Sequence, residues 1–259
     1  MRKLTYILII VQIVLTSCNQ IDKDLTEWKK IKNGKDFSAF FNFALTVQDS
    51  LLLYQCIDSL ESNKPENTCF VLGYFDYYNE SKDSVYHSDY YLFDKTDYYP
   101  HIKERNIVFI NIDSSCKVQI KYADSSYMDY FNLLFTLFDT SGSSYDLPEY
   151  FMTDFQGKEY IARKLGTFIS SEISKDSFNE KEAWIELIKT NKQVLEAYEK
   201  VREYKSQEIF ESSFNNLNET EQKFIINLVP IYIENYFYFS FINIPPPPPP
   251  PIVDSVNDK

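Results

Sequence analysis

The chain has 259 residues and carries 38 acidic against 26 basic side chains, a formal net charge of −12 at pH 7. A charge of this size and sign argues against nucleic acid as a partner, because phosphates would repel it, and against adhesion to anionic lipid. Only five glycines are present, and each stands alone, so no glycine-rich phosphate-binding loop is available.

The start of the chain has the features of an export signal. Arg2 and Lys3 precede an apolar run over residues 4–15. That run is shorter than the roughly 20 residues needed to cross a bilayer, but it has the length of a signal-peptide core. Residues 15–18, LTSC, resemble the lipobox of bacterial lipoproteins. The resemblance implies cleavage after residue 17 and acylation of Cys18; the alternatives are an uncleaved signal or a chance cysteine.

An acylated Cys18 places the protein in the cell envelope of a Gram-negative bacterium. Several acyl chains on one residue anchor a protein stably, because each buried methylene contributes about 0.8 kcal/mol. Residues 18–35 are largely polar and are predicted to form a tether that holds the domain clear of the headgroups. Asn19, rather than Asp, follows the cysteine, which favours the outer membrane, with the domain facing the periplasm or the cell surface.

The next part of the chain is predicted to contain a hairpin. Residues 36–60 have apolar positions at both helical and alternating spacing, so helix and strand remain alternatives there. Residues 69–78 and 85–93 are rich in aromatic and β-branched side chains and flank a polar turn. This pattern is typical of two antiparallel strands.

A second hairpin is predicted around the turn at residues 113–116. Residues 106–113 are apolar on both faces except at Asn111, which predicts a strand buried between layers. Residues 117–122 alternate between apolar and polar side chains, which predicts a strand with one solvated face. Residues 128–138 then have the apolar spacing of a short helix.

The second half of the chain is predicted to be mainly helical. Residues 158–175 and 181–212 carry apolar side chains at helical spacing. Asn218 and Glu221 fit a capping box at the start of a third helix, which ends at a proline. Residues 231–244 are aromatic and partly alternating, so at least one strand is predicted there.

These elements predict an α+β fold, in which amphipathic helices of the second half pack on an antiparallel sheet of hairpins from the first half. The predicted organisation is a signal peptide at 1–17, a tether at 18–35, an α+β domain at 36–244 and a tail at 245–259. Within the domain, residues 36–150 are strand-rich and residues 151–244 helix-rich. The tail contains seven consecutive prolines, a polyproline II rod that serves as a spacer or as a ligand for an aromatic groove.

The cysteines after the lipobox leave two alternatives open. Cys56 and Cys69 flank a turn-like polar segment and are spaced to close a small loop by a disulfide. An exported protein is able to form disulfides, but three cysteines leave at least one thiol unpaired. The other alternative is three free thiols, at Cys56, Cys69 and Cys116.

No catalytic motif, cofactor site or metal site is predicted. The only histidines are His87 and His101, which are better explained as exposed loop residues than as metal ligands with Asp89 or Asp97. The most suggestive feature is a group of aromatic residues, because tyrosines on exposed strands bind sugars and protein partners; core packing explains at least half of them. The group consists of Tyr74, Phe75, Tyr77, Tyr78, Tyr86, Tyr90, Tyr91, Phe93, Tyr98 and Tyr99.

One stretch of the second half resembles a known family. Residues 197–202 (AYEKVR), 219–223 (ETEQK) and 230–234 (PIYIE) are similar to the C-terminal periplasmic segment of the ExbD/TolR biopolymer-transport family. Residues 106–122 are similar to that family's periplasmic hairpin. The resemblance implies a partner-binding envelope module. The family's proton-carrying Asp has no counterpart, because residues 4–15 contain no acidic residue.

Together these patterns predict an exported, lipid-anchored binding or adaptor protein that is not an enzyme. Its predicted partners are the membrane, through Cys18, and an envelope protein, and nucleic acid is not among them. One hypothesis is an accessory role in ExbD/TolR-type envelope transport. The alternative is a surface lipoprotein that binds glycan or peptide through a tyrosine-rich sheet.

Overall fold

The computed structural model of the chain describes residues 28, 36–63, 69–79, 82–93, 104–122, 125–127, 129–139, 147–171 and 180–238. Within these ranges the α-helices are α1 (Phe37–Thr46), α2 (Ser50–Ser62), α3 (Tyr130–Asp139), α4 (Glu180–Phe210) and α5 (Glu219–Leu228). The strands are β1 (Cys69–Asn79), β2 (Ser84–His87), β3 (Tyr91–Phe93), β4 (Ile107–Ile112), β5 (Val118–Tyr122), β6 (Ser125–Tyr127), β7 (Tyr150–Phe155), β8 (Lys158–Arg163), β9 (Gly166–Ser171) and β10 (Ile231–Tyr238).

The ambiguous segment at 36–60 forms two helices, each with an aspartate at its N-cap. The Asp36 carboxylate accepts the backbone N–H of Ser38 at 2.9 Å, and the Asp49 carboxylate accepts that of Leu52 at 2.9 Å. A side chain that satisfies the free N–H groups of the first turn stabilises a helix start by about 1 kcal/mol. These caps explain why helix prevails over strand in this segment.

The predicted α+β class is confirmed. The main sheet has the strand order β2-β1-β10-β9-β4-β5-β6, and β3 pairs with β1 on the same side as β2. Most pairs are antiparallel, but β10, β9 and β4 at the centre are parallel. The sheet therefore takes strands from both halves of the chain. A second sheet is the β7–β8 hairpin.

Both predicted hairpins are confirmed. In the first, Asn79 of β1 pairs with Ser84 of β2, and in the second, Ile112 of β4 pairs with Val118 of β5. The second turn is held by the Asp113 carboxylate, which accepts two backbone N–H groups. Cys116 has φ of 60°, a left-handed conformation that favours glycine.

The helix predicted over residues 158–175 is wrong, because residues 158–163 form β8 and residues 166–171 form β9. Gln156 and Gly157 have φ of 53° and 80°, the geometry of a two-residue hairpin turn, and this turn starts β8. The next strand, β9, lies between β4 and β10 and is hydrogen-bonded on both edges. Long-range pairing outweighs the helical spacing of a few apolar residues.

The two faces of the sheet have different neighbours. One face, the helix-covered face, packs against α4 through Asp76, Thr167 and Asn235. Side chains alternate along a strand, so the other face carries a set of aromatic rings in contact with one another. This aromatic face consists of Phe75, Tyr77, Tyr86, Phe109, Phe168, Tyr232 and Tyr236.

Two predictions about burial need correction. The strand at 107–112 is not buried between layers, because Phe109 on the aromatic face is 39% exposed. Trp28, inside the predicted tether, is buried and packs on Phe40 and Phe43 of α1, with ring centroids 5.7 and 5.8 Å away. Burial of a tryptophan ring removes a large apolar area from water, which favours its packing against a nearby apolar surface. The folded part of the chain therefore includes Trp28.

None of the helices in the described ranges is long and apolar enough to cross a membrane.

Candidate functional site

The described residues form an open cleft of about 800 Å³ at the edge of the main sheet. It lies between α1, the β1–β3 edge and one residue of α4. Its lining contains tyrosines, aliphatic side chains and two aspartates. The lining residues are Asp36, Ser38, Ala39, Asn42, Phe43, Leu45, Thr46, Tyr74, Asp89, Tyr90, Tyr91, Leu92 and Leu195.

Helix α1 is fixed to the sheet edge by two polar side chains. The Asn42 amide nitrogen donates to the carbonyl of Tyr90 at 2.7 Å, and its oxygen accepts the N–H of Tyr90 at 2.9 Å. The Ser38 hydroxyl accepts the N–H of Leu92 at 3.0 Å. Residues four apart lie on the same face of a helix, so α1 presents both side chains to the edge strand together.

A buried network holds the base of the cleft. Tyr90 is 2% exposed, and its hydroxyl donates to the Asn191 side chain of α4 at 2.6 Å. Asn191 and Asn235 of β10 exchange hydrogen bonds at 2.8 and 3.0 Å. Burial raises the pKa of Tyr90 well above its usual value, so it stays a neutral donor. A fully hydrogen-bonded polar network makes this part of the cleft rigid.

Tyr74 connects the cleft to a cluster of charged groups. Its ring lies 5.3 Å from that of Tyr90 and 5.8 Å from that of His87, between centroids. Burial, followed by the charge of Asp76, raises the pKa of Tyr74 to about 12. No hydrogen bond to the Tyr74 hydroxyl is found in the described part of the chain.

Behind Tyr74, Arg202 of α4 forms a buried ion pair with Asp76 of β1. One guanidinium nitrogen lies 2.6 Å from the Asp76 carboxylate, and another donates to the Asp76 carbonyl at 3.0 Å. The third donates to the carbonyl of Val229, just after α5, at 2.9 Å. His87 lies farther away, with its ring nitrogen 3.8 Å from the same carboxylate. The Arg202 charge is therefore used within the fold.

The cleft has a negative character of its own. Asp36 and Asp89 line it and are both exposed, and its described lining contains no Lys, Arg or His. The Asp36 carboxylate also caps α1, which fixes its position. The arrangement offers two solvated carboxylates beside aromatic and aliphatic surface, which suits an occupant that is both cationic and apolar.

The structure separates the predicted site residues. Cys18, His101, Asp97 and the polyproline tail lie outside the described residues, as does the side chain of Cys69. Cys56 is a free, buried thiol whose sulfur lies 3.6 Å from the carbonyl oxygen of Phe40, so the alternative of a Cys56–Cys69 disulfide is not the one observed. Burial raises the pKa of this thiol to about 12, which makes it unreactive.

The predicted tyrosine group is divided between the two sides of the sheet. Tyr74 and Tyr90 lie on the helix-covered side and build the cleft, whereas the rings of Tyr77 and Tyr86 contact each other on the aromatic face, with centroids 5.3 Å apart. His87 is exposed at the end of β2, and the described residues contain no group of three or more His, Cys, Asp or Glu that suits a metal. Sequence reasoning missed Asn42, Asn191, Asp76 and Arg202, because their partners lie far away in the chain.

Two of the stretches that carry the ExbD/TolR resemblance, 197–202 and 230–234, are mostly buried, whereas 219–223 is not. Tyr198 shares a hydrogen bond with Thr167 at 3.1 Å, and the buried carboxylate of Glu234 accepts the Tyr236 hydroxyl at 2.6 Å. Asn218 and Glu221 form the predicted capping box. Comparison of the chain with models of protein families, with curated proteins and with solved structures finds no match.

Proposed function

We propose that this chain is an exported, lipid-anchored binding protein without catalytic activity, and that the cleft beside α1 takes its ligand, a glycan or a peptide. The observation that carries the proposal is the cleft itself. Its volume of about 800 Å³ lies within the range of ligand sites, about 300–1,000 Å³. Tyrosines supply large contact area at low entropic cost, and the buried network under Tyr90 keeps that area in place.

The chemistry of the cleft supports binding rather than catalysis. A pair of catalytic carboxyl groups works when one of them is kept protonated in a buried, apolar environment. Asp36 and Asp89 are both exposed, and Asp36 is engaged as a helix cap. The one serine of the cleft wall on α1, Ser38, accepts a backbone hydrogen bond and has no basic neighbour in the described lining.

The anchor is tested by metabolic labelling with a fatty-acid analogue. We expect the native protein to be labelled and the Cys18→Ala variant to remain unlabelled and to leave the membrane fraction. A native protein that begins at Met1 and carries no added lipid mass contradicts the anchoring part of the proposal.

The cleft is tested by photo-crosslinking in intact cells. A photoreactive amino acid replaces Ala39, which lines the cleft, or Glu159, an exposed residue of β8 that does not. We expect a discrete crosslinked product from position 39 and none from position 159. Equal products from both positions, or none from position 39, contradict the cleft as the ligand site.

A second candidate is an accessory role in ExbD/TolR-type envelope transport. The specific observation that favours it is the connected unit made by the end of α4, the capped helix α5 and strand β10, the same order of elements that the resemblance implies. Arg202 ties this unit together through its hydrogen bond to Val229. Crosslinking in membranes then recovers energy-transducing inner-membrane proteins. Protease treatment of intact cells separates the candidates, because a surface-exposed protein is released and a periplasmic one is protected.

A further inference from the structure

We infer that the occupant of the cleft is a basic peptide segment, whose lysine or arginine side chain contacts Tyr74 and the carboxylate of Asp89 or Asp36. The inference rests on the proposed binding function and names the class of ligand. Three properties of the cleft lead to it: its charge, the state of its polar groups and the nature of its apolar wall.

The charge of the cleft selects a cation. Asp36 and Asp89 contribute two negative charges to the described lining, and no basic side chain offsets them there. Arg202, behind Tyr74, is bound to the Asp76 carboxylate at 2.6 Å. Tyr74, which lines the cleft on the same side of the sheet, is only partly buried, and aromatic faces attract ammonium and guanidinium groups.

The uncharged polar side chains that α1 contributes to the cleft are used within the fold, which leaves the two carboxylates as its main available polar groups. Ionised carboxylates accept hydrogen bonds but cannot donate them, so they favour an occupant rich in donors, such as an ammonium or guanidinium group, over a sugar that needs both donors and acceptors. Both polar atoms of the Asn42 amide are occupied by the backbone of Tyr90, at 2.7 and 2.9 Å, and the Ser38 hydroxyl accepts the N–H of Leu92. If a sugar drew the Asn42 and Ser38 side chains into hydrogen bonds of its own, the backbone groups of Tyr90 and Leu92 would lose their partners, which is costly.

The rest of the wall is aliphatic, which suits a peptide. Leu45, Leu92 and Leu195 line the cleft together with Phe43, so apolar surface alternates with the carboxylates. A peptide in which lysine or arginine alternates with leucine-like residues matches both features. Its basic side chains also bury their methylene stems along the apolar wall.

The inference is tested by calorimetric titration of the full-length lipoprotein, held in a neutral detergent at physiological ionic strength. The probes are acetyl-Leu-Lys-Leu-Lys-amide, its glutamine counterpart and the neutral oligosaccharide chitotetraose. We expect the lysine peptide to bind about tenfold more tightly than the glutamine peptide, the ratio typical of one hydrogen-bonded charge contact.

Variants that remove negative charge inside or outside the cleft show where the lysine peptide binds. Asp36→Asn with Asp89→Asn removes both charges and keeps the helix cap, since Asn caps as well as Asp. We expect it to bind the lysine peptide about tenfold more weakly, whereas Glu159→Gln leaves the affinity unchanged. Ala39→Trp, which fills the cleft, abolishes binding.

The remaining outcomes separate this inference from the proposed function. If the glutamine peptide binds equally well, or if chitotetraose binds and Ala39→Trp prevents it, the basic-peptide inference is overturned and the cleft remains a ligand site. If the lysine peptide does not bind, or binds equally to the Ala39→Trp variant, the inference is also overturned. The ligand site itself is removed by the crosslinking result alone: no product from position 39, or equal products from positions 39 and 159.

Discussion

The two faces of the main sheet are stabilised in different ways. On the helix-covered face, α4 places Asn191, Tyr198 and Arg202 against polar partners on β10, β9 and β1. On the aromatic face, neighbouring strands contribute stacked rings such as Tyr77, Tyr86 and Tyr232. Buried polar pairs demand one arrangement, because each lost partner is costly, whereas ring contacts tolerate adjustment. The comparison indicates that the polar pairs between α4 and the strands, rather than the aromatic contacts, fix how α4 is aligned on the sheet.

The largest expected effect comes from the ion pair on the helix-covered face. Arg202→Met leaves the Asp76 carboxylate buried without its partner and should lower the free energy of unfolding by about 3–5 kcal/mol. Urea denaturation measures it. The double variant Asp76→Leu with Arg202→Met removes both charges and should lose much less stability. Equal losses in the single and double variants show that the charge pair is not what positions α4.

The next effect concerns the amide network under the cleft. Asn191→Ala removes the acceptor of the buried Tyr90 hydroxyl and both hydrogen bonds between Asn191 and Asn235, so we expect a loss of about 2–3 kcal/mol in unfolding free energy. The matched control is Gln193→Ala, an exposed residue of the same helix. Because Tyr90 forms the base of the cleft, Asn191→Ala should also weaken ligand binding. An effect no larger than that of the control contradicts the importance of the network.

A smaller effect is expected on the aromatic face. The rings of Tyr77 and Tyr86 are in tilted contact with centroids 5.3 Å apart, and cross-strand aromatic pairs contribute about 0.2–1 kcal/mol. A double-mutant cycle with Tyr77→Ala and Tyr86→Ala should therefore give a coupling free energy in that range. A coupling above that of the ion pair on the other face removes the distinction between the two faces.

The smallest effect is a pH dependence from Glu234, a carboxyl group buried among the aromatic residues. Burial raises the pKa of Glu234 above its usual value, so the folded state holds this proton more tightly than the unfolded state. Its contribution to stability is complete below the ordinary pKa of glutamate and is lost as the pH rises through the raised value. The glutamine of the Glu234→Gln variant does not ionise, so this contribution to stability no longer changes with pH.

The Tm of Glu234→Gln should therefore exceed that of the native protein by a margin that grows as the pH rises above the ordinary pKa of glutamate. The Tyr236 hydroxyl, which donates to Glu234 at 2.6 Å, is able to donate to the Gln amide oxygen as well. Glu159→Gln, at an exposed position of β8, serves as the control. A margin that does not change with pH contradicts the assignment.

The sequence predicted features that depend on neighbouring residues. The two hairpins, the long helix α4 and the capping box at Asn218 and Glu221 all follow from local spacing, and all are confirmed. Strand β9 was missed because its place is decided by β4 and β10, which lie far away in the chain. A few apolar residues at helical spacing carry no information about such pairing.

The candidate site was predictable only in part. Tyr74, Tyr90 and Tyr91 belonged to the predicted tyrosine group, and they line the cleft. The other wall comes from α1, and Asn42 and Tyr90 are separated by 48 residues. Neither the cleft nor the Asp76–Arg202 pair, separated by 126 residues, leaves a local pattern that sequence reading detects.

The pairing of Asn42 with Tyr90 also bears on self-association. A strand edge with free backbone groups invites the addition of another strand, and natural proteins protect such edges. The Asn42 side chain satisfies the same two backbone atoms that an incoming strand would use. A protein anchored to a membrane, as we propose, is crowded into two dimensions, where edge-to-edge polymerisation is promoted. At and just before β3, Asn42 and Ser38 of α1 thus occupy backbone groups of Tyr90 and Leu92 that such growth would need.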